Sequence, residues 1–156
     1  MRHGKAMYEA IDWERCLAVE GQDDVRWTSI AILNQRDCLP QWILCSAAKR
    51  TQQTLEIFSE FYLNKKCQIF LDPSLYLSRF NDLRTLVAKT PPEVENLMII
   101  GHNPVLSEFV SRLVKDSIVL GSANAAILQS SVLESEWQSV LYEPWELSAL
   151  LKPESN

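Results

Sequence analysis

Two short apolar runs, Gln41-Trp42-Ile43-Leu44-Cys45 and Leu97-Met98-Ile99-Ile100, each lead straight into a stretch with helical spacing. A continuous apolar run of that length suits a strand covered on both faces, which in turn requires helices on both sides of a sheet. Behind the first run, residues 50–63 read as a helix with Leu55, Phe58 and Tyr62 on one face. Behind the second, Leu106, Phe109, Val110, Leu113 and Val114 recur at the spacing of a core-facing helix. Asn103 is placed to cap that helix and Pro104 suits its first position. The remaining pattern agrees with this alternation. Residues 23–34 read as a helix, broken by Cys38-Leu39-Pro40, and residues 67–71 as a strand stopped by Asp72-Pro73. Phe80, Leu83 and Val87 mark another helix, ended by Thr90-Pro91-Pro92. Residues 125–128, 140–142 and 145–151 read as late strands, and residues 1–21 as a loop. Alternating strands and helices predict an α/β layered fold.

The chain has 156 residues, the size of a single domain over 1–156, with no repeat or linker that would divide it. Its 47% hydrophobic and 22% charged residues are ordinary globular usage. A net charge of −5 excludes a broad nucleic-acid surface, which needs a dense Lys/Arg face, but leaves room for a small basic pocket. Cys16, Cys38, Cys45 and Cys67 lack the spacing of a zinc site, so no metal is expected. They are read as reduced thiols, with Cys45 in the core. With no apolar run long enough for a membrane and no secretory leader pattern, the expectation is a cytoplasmic protein without a membrane partner.

The chemistry-bearing residues fall at the strand–helix junctions. Ser46-Ala47-Ala48-Lys49-Arg50 joins one strand to its helix, and Gly101-His102-Asn103-Pro104 joins the other. In open α/β sheets ligands sit beyond the carboxyl ends of the strands, so Arg50 and His102 should face one crevice. Backbone N–H groups at the helix starts favour an anion there. The only two histidines, His3 and His102, each adjoin a glycine, Gly4 and Gly101. Taken singly these signals have plainer readings. Arg-His-Gly alone marks an exposed turn, Gly-His-Asn-Pro a helix cap, and Lys49-Arg50 a solvated face. Their common placement argues for a site.

Arg2-His3-Gly4, the run 46–54 and Gly101-His102-Asn103-Pro104 together resemble the signature of the histidine phosphatase superfamily, whose fold is phosphoglycerate mutase-like. The short length, with no inserted helical subdomain, resembles its SixA-type phosphohistidine phosphatases. Asp12-Trp13-Glu14-Arg15-Cys16-Leu17 is similar to the Asp-x-x-Arg-Pro-Leu stretch of that branch, with Cys16 replacing proline. The resemblance implies a three-layer α/β/α fold with a mostly parallel central sheet. It also implies a phosphatase working through a phosphohistidine on His3. Arg2, Arg50 and His102 would hold the phosphoryl group, and Arg15, Ser46, Gly4 and Asn103 would lie at the substrate. No cofactor is implied. The implied substrate is a phosphorylated protein of histidine-phosphotransfer type. The alternatives are a small phosphorylated molecule or a non-catalytic phosphate- or partner-binding domain.

In the superfamily, Arg-His-Gly ends an apolar central strand. Here only Met1 precedes it, so a truncated first strand is expected. Many members also use a glutamate as acid. Asp82 is the candidate in this chain.

Overall fold

Three parallel strands form the centre of the protein, in the order β2-β1-β3. They are β1 (Trp42–Ser46), β2 (Gln68–Asp72) and β3 (Leu97–Ile100). Ile43 lies opposite Ile69 on one side and Met98 on the other. The computed structural model describes residues 1–62, 66–132, 136–140 and 142–154. The helices are α1 (Val19–Leu33), α2 (Lys49–Phe61), α3 (Phe80–Val87) and α4 (Val105–Val114). A second, antiparallel pair comprises β4 (Ala125–Ser130) and β5 (Trp145–Leu151).

The alternation of side chains across the strands divides the core in two. Ile43, Cys45, Met98 and Ile100 pack with Val25 and Ile32 of α1 and Leu55 and Phe58 of α2. Leu44 turns the other way, joined by Leu97 and Ile99, to meet Leu83 and Val87 of α3 and Leu106, Phe109, Val110 and Leu113 of α4. Both faces of the sheet are therefore covered, which is why its strands read as unbroken apolar runs. The result is the three-layer α/β/α architecture.

The two sheets are joined by the first residues of the chain. Met1 N donates to Ile99 O at 2.7 Å, Gly101 N to Met1 O at 3.2 Å and His3 N to Gly101 O at 3.1 Å. On the opposite edge, Arg2 N donates to Asn124 O at 3.0 Å and Ala123 N to His3 O at 2.9 Å. Residues 1–3 thus behave as a minimal central strand, parallel to β3, although residues 1–21 carry no periodicity. Three residues are too few to show one. Helix α1 also begins earlier than its apolar pattern, at Val19, because Glu20, Gln22 and Asp23 face outward.

Two further expectations change. The run 140–142 does not form a strand. Trp137–Val140 is a short helical turn (α5), Tyr142 lies in a turn, and Leu141 falls outside the described residues. Asn103 does not cap α4. That helix starts one residue later, with Pro104 at the cap position, because the Asn103 side chain is spent on Leu120 O and Ser107. The helix over 50–63 ends at Phe61, and Leu63 lies outside the described residues. Cys45 is fully buried, and burial pushes its thiol up to about 12.

Between β3 and β4, ahead of Met1, lies a cavity of about 190 Å³ walled by Met98, Ile99, Leu106, Ala126, Leu128 and Trp145. Met1 also lines this cavity, and burial pushes its amine down to about 5.

Candidate phosphoryl-binding site

His3, Arg50 and His102 arrive from three directions. The first is carried by the residue 1–3 strand, and the others by the carboxyl ends of β1 and β3. Gly101 is bridged to Arg2, so the residue after it, His102, is brought beside His3. The two imidazole centroids are 5.1 Å apart. The chain then leaves the sheet at Gly4, where α1 crosses so closely that a Cβ would stand 2.5 Å from Gly21 O and 2.8 Å from Val25 Cγ2. Only glycine fits there. At the β1–α2 junction, Thr51 Oγ1 donates to Ser46 O at 2.7 Å and fixes the turn. One turn on, Thr54 Oγ1 accepts from Gly4 N at 3.3 Å, while Gln53 Oε1 accepts from Leu17 N at 2.7 Å. The polar residues that follow Arg50 therefore fasten the loop carrying His3 to α2.

The His3 ring is oriented through its Nδ1–H, which donates to Gly4 O at 2.7 Å. That tautomer leaves the Nε2 lone pair free, and Arg50 Nε donates to it at 3.2 Å. Burial pushes His3 down to about 3, with further depression from His102, Arg50 and Arg2. His102 is also pushed down, to about 4, by burial first and then by Arg50. Its Nε2 lies 2.8 Å from Ser46 Oγ, which also accepts from Ala48 N at 3.5 Å. With the Ser46 hydroxyl donating to His102 Nε2, Nδ1 would carry the ring proton and be left as a donor. That Nδ1 is buried and has no hydrogen-bond partner; neither has Arg2 Nε. Arg2 anchors its other end to Leu120 O at 3.0 Å. Burial and the nearby Arg50 lower its pKa from the ordinary value. Two guanidinium groups, a neutral imidazole and the unprotonated Nε2 of a second imidazole converge here. Such a set suits a compact dianion.

The other expected residues are placed differently. Ser46 is fully buried and acts on the His102 ring. Asn103 Nδ2 shares the Leu120 carbonyl with Arg2, at 2.7 Å. Gly4 contributes its carbonyl to His3 and its lack of a side chain to α1 packing. Arg15 braces the loop, donating to Met7 O at 2.8 Å and to Asp12 Oδ1 at 3.1 Å. Asp82 accepts from Arg79 N at 2.9 Å in the capping box of α3, and among the described residues no hydrogen bond joins it to His3, Arg2, Arg50 or His102. Among the described residues no cluster of His, Cys, Asp and Glu is arranged to hold a metal ion.

Two residues at the site carried no assigned role in the sequence reading. Asp12 places its backbone O 2.7 Å from Arg50 Nη1 and its Oδ2 3.0 Å from Arg50 Nη2. Tyr76 donates its hydroxyl to the same Oδ2, and its ring stands edge-on to His102 at 5.4 Å. Tyr76 had a signal available, since it follows the Asp72-Pro73 stop at the carboxyl end of β2.

No protein-family model matches the chain. Its fold is that of SixA-type proteins. A candidate phosphohistidine phosphatase SixA from Agrobacterium tumefaciens superposes with a TM-score of 0.82 at 22% identity, over 98% of this chain and 95% of that one. The protein histidine phosphatase SixA complexed with tungstate gives 0.80 at 20% identity, over 97% and 94%. A mycobacterial glucosyl-3-phosphoglycerate phosphatase gives 0.64 at 14%, over 94% of each. These likenesses, at 14–22% identity, show a shared fold, and the residues that resemble the signature are gathered at one site of it. The chain shares a family with an uncharacterized chloroplastic protein of Arabidopsis thaliana, to which it is 30% identical over all of this chain and 77% of that protein.

Because both imidazoles are desolvated, neither is expected to titrate in the range of a free histidine. Their folded-state values lie below the unfolded value of about 6.5, so the unfolded chain binds more protons than the folded one between roughly pH 4 and 6.5. Stability should therefore fall as pH falls through that window. Imidazole resonances followed by NMR should show no midpoint between pH 5 and 8. A midpoint near 6.5 for either ring would contradict its burial.

Proposed function

We propose that this chain is a phosphatase that removes a phosphoryl group by way of a phosphohistidine on His3 Nε2. The single observation that carries the proposal is the His3 ring. Its proton is held on Nδ1 by Gly4 O and its bare Nε2 faces Arg50 Nε, in a pocket where Arg2 Nε and His102 Nδ1 lack partners. In the first step Nε2 attacks phosphorus, an N–P bond forms and the bond to the leaving group breaks. In the second, water attacks the phosphohistidine, the N–P bond breaks, and inorganic phosphate leaves with His3 neutral again. Arg2 and Arg50 hold the equatorial oxygens and His102 donates to them as charge develops.

The substrate we favour is phosphohistidine on a protein partner of histidine-phosphotransfer type. Its phosphoramidate departs with less help from an acid. Among the described residues the site offers no carboxylic acid: Asp82 caps a helix, and Tyr76, Arg15 and Arg50 hold the Asp12 carboxyl well below the usual range. Residues 1–156 act as one domain in this reading, with no cofactor. Four free thiols suit a cytoplasmic setting, and no helix among the described residues is long and apolar enough to cross a membrane. The small-molecule phosphomonoesterase reading predicts the reverse preference in a screen of phosphohistidine protein against sugar and nucleotide phosphates.

His3→Ala is expected to abolish both turnover and an acid-labile, labelled phosphoenzyme while leaving the melting temperature nearly unchanged. Undiminished turnover by that variant would end the covalent mechanism. Arg50→Lys keeps the charge but loses the planar fork, and its kcat should drop by about 100-fold. Steady-state kinetics measure this, and near-native rates would mean that Arg50 does not touch the phosphoryl group.

A further inference from the structure

Arg50 has no nitrogen without a protein partner. Its Nε goes to His3, its Nη1 to the Asp12 backbone O at 2.7 Å, and its Nη2 to Asp12 Oδ2 at 3.0 Å. The guanidinium is nearly buried, with 7% side-chain exposure, whereas the Asp12 side chain is about half exposed. The most buried cation of the site is thus closed from outside by a carboxylate of the same chain. That carboxylate sits on a single helical turn, Asp12–Glu14, with no buried residue. The loop before it exposes Tyr8 and Ile11, and its closure depends on Arg15, which ties Asp12 Oδ1 to Met7 O. Tyr76, stacked edge-on against Trp13 at 4.8 Å, holds Oδ2 on the side facing Arg50.

We propose that Asp12 is an intramolecular competitor for the phosphoryl site, a carboxylate latch on Arg50 that an incoming dianion must displace, and that it thereby sets the site's selectivity for strongly charged phosphoryl groups. This rests on the reading of the site as phosphoryl-binding. A phosphoryl oxygen presented to His3 Nε2 needs the Arg50 Nε and Nη donors together, because planar two-pronged contact is what distinguishes arginine. Part of that fork is held by Asp12. Displacement exchanges one charge-assisted pair for another, so only a ligand with more charge, or more donors to meet it, gains on the exchange. Arg2 Nε and His102 Nδ1 supply those additional donors to a tetrahedral oxyanion. A monoanionic carboxylate ligand has fewer oxygens to meet them and no advantage over Asp12 on Arg50. Once displaced, Asp12 keeps Arg15 and Tyr76 as partners, so its release strands no buried charge.

The latch makes a prediction opposite in sign to a supporting role. Asp12→Asn is expected to bind inorganic phosphate about tenfold more tightly than the unmodified protein, the size of one lost charge-assisted competitor. Its KM for a phosphorylated substrate should fall in step. Calorimetric titration with phosphate reads the first directly and needs no turnover. Equal or weaker binding by Asp12→Asn overturns the latch and makes Asp12 a support for Arg50. Failure of both versions to bind phosphate overturns the phosphoryl-site reading and the latch with it. A measurement on the unmodified protein adds a readout that requires no substitution. Saturating phosphate should move the Asp12 carboxyl carbon resonance, and an unmoved resonance also overturns the proposal.

Discussion

Residues 1–3 are hydrogen-bonded along both edges, and the rest of the structure depends on that double pairing. Arg2 N reaches Asn124 on one side and His3 N reaches Gly101 on the other, so three residues hold β3 to the segment that opens β4. Each such bond is worth only about 0.5–1.5 kcal/mol net, but leaving one unmade in a buried sheet costs more. The pairing also determines chemistry. A strand bridged to Gly101 at Arg2 necessarily sets His3 next to His102, and the 5.1 Å between their rings is a consequence of register. Slipping the pairing by one residue would turn His3 to the opposite face.

The electrostatics of the site follow from burial. In both imidazoles desolvation is the largest influence and the neighbouring arginines add to it, so the rings are expected to be neutral near pH 7. Neutrality is what the proposed nucleophilic role of His3 would need. The cationic character rests on Arg2 and Arg50 alone, in a protein whose net charge is −5. Asp12 pairs with Arg50 and the Leu120 carbonyl receives Arg2, which offsets the repulsion between the two like charges. Strand ends bring the side chains, helix starts add backbone dipoles, and a loop carboxylate balances the charge.

Much of this was legible in the chain itself. The buried strands 41–45 and 97–100 announced themselves as unbroken apolar runs, since both of their faces are covered. The helices behind them showed a 3.6-residue period, and Arg50 and His102 were placed at one crevice by their positions just past those runs. These are local properties: a side chain's burial and its distance along the chain from a strand end are written in neighbouring residues. Where the pattern was ambiguous, as at 140–142, the apolar run was too short to carry a period that would tell a strand from the helical turn ending at Val140.

Tertiary structure alone decided three things. It made a strand of Met1–His3, because pairing comes from residues about a hundred positions away and leaves no period in so short a segment. It set the Asp82 carboxylate on the Arg79 N–H at the start of α3, an engagement that no local pattern announced. It brought Asp12 onto Arg50 across 38 positions of sequence and Tyr76 onto Asp12 across 64. Residue types and strand ends determine which groups can reach a crevice. Which of them meet, and which are already engaged elsewhere, depends on long-range packing that no local pattern encodes.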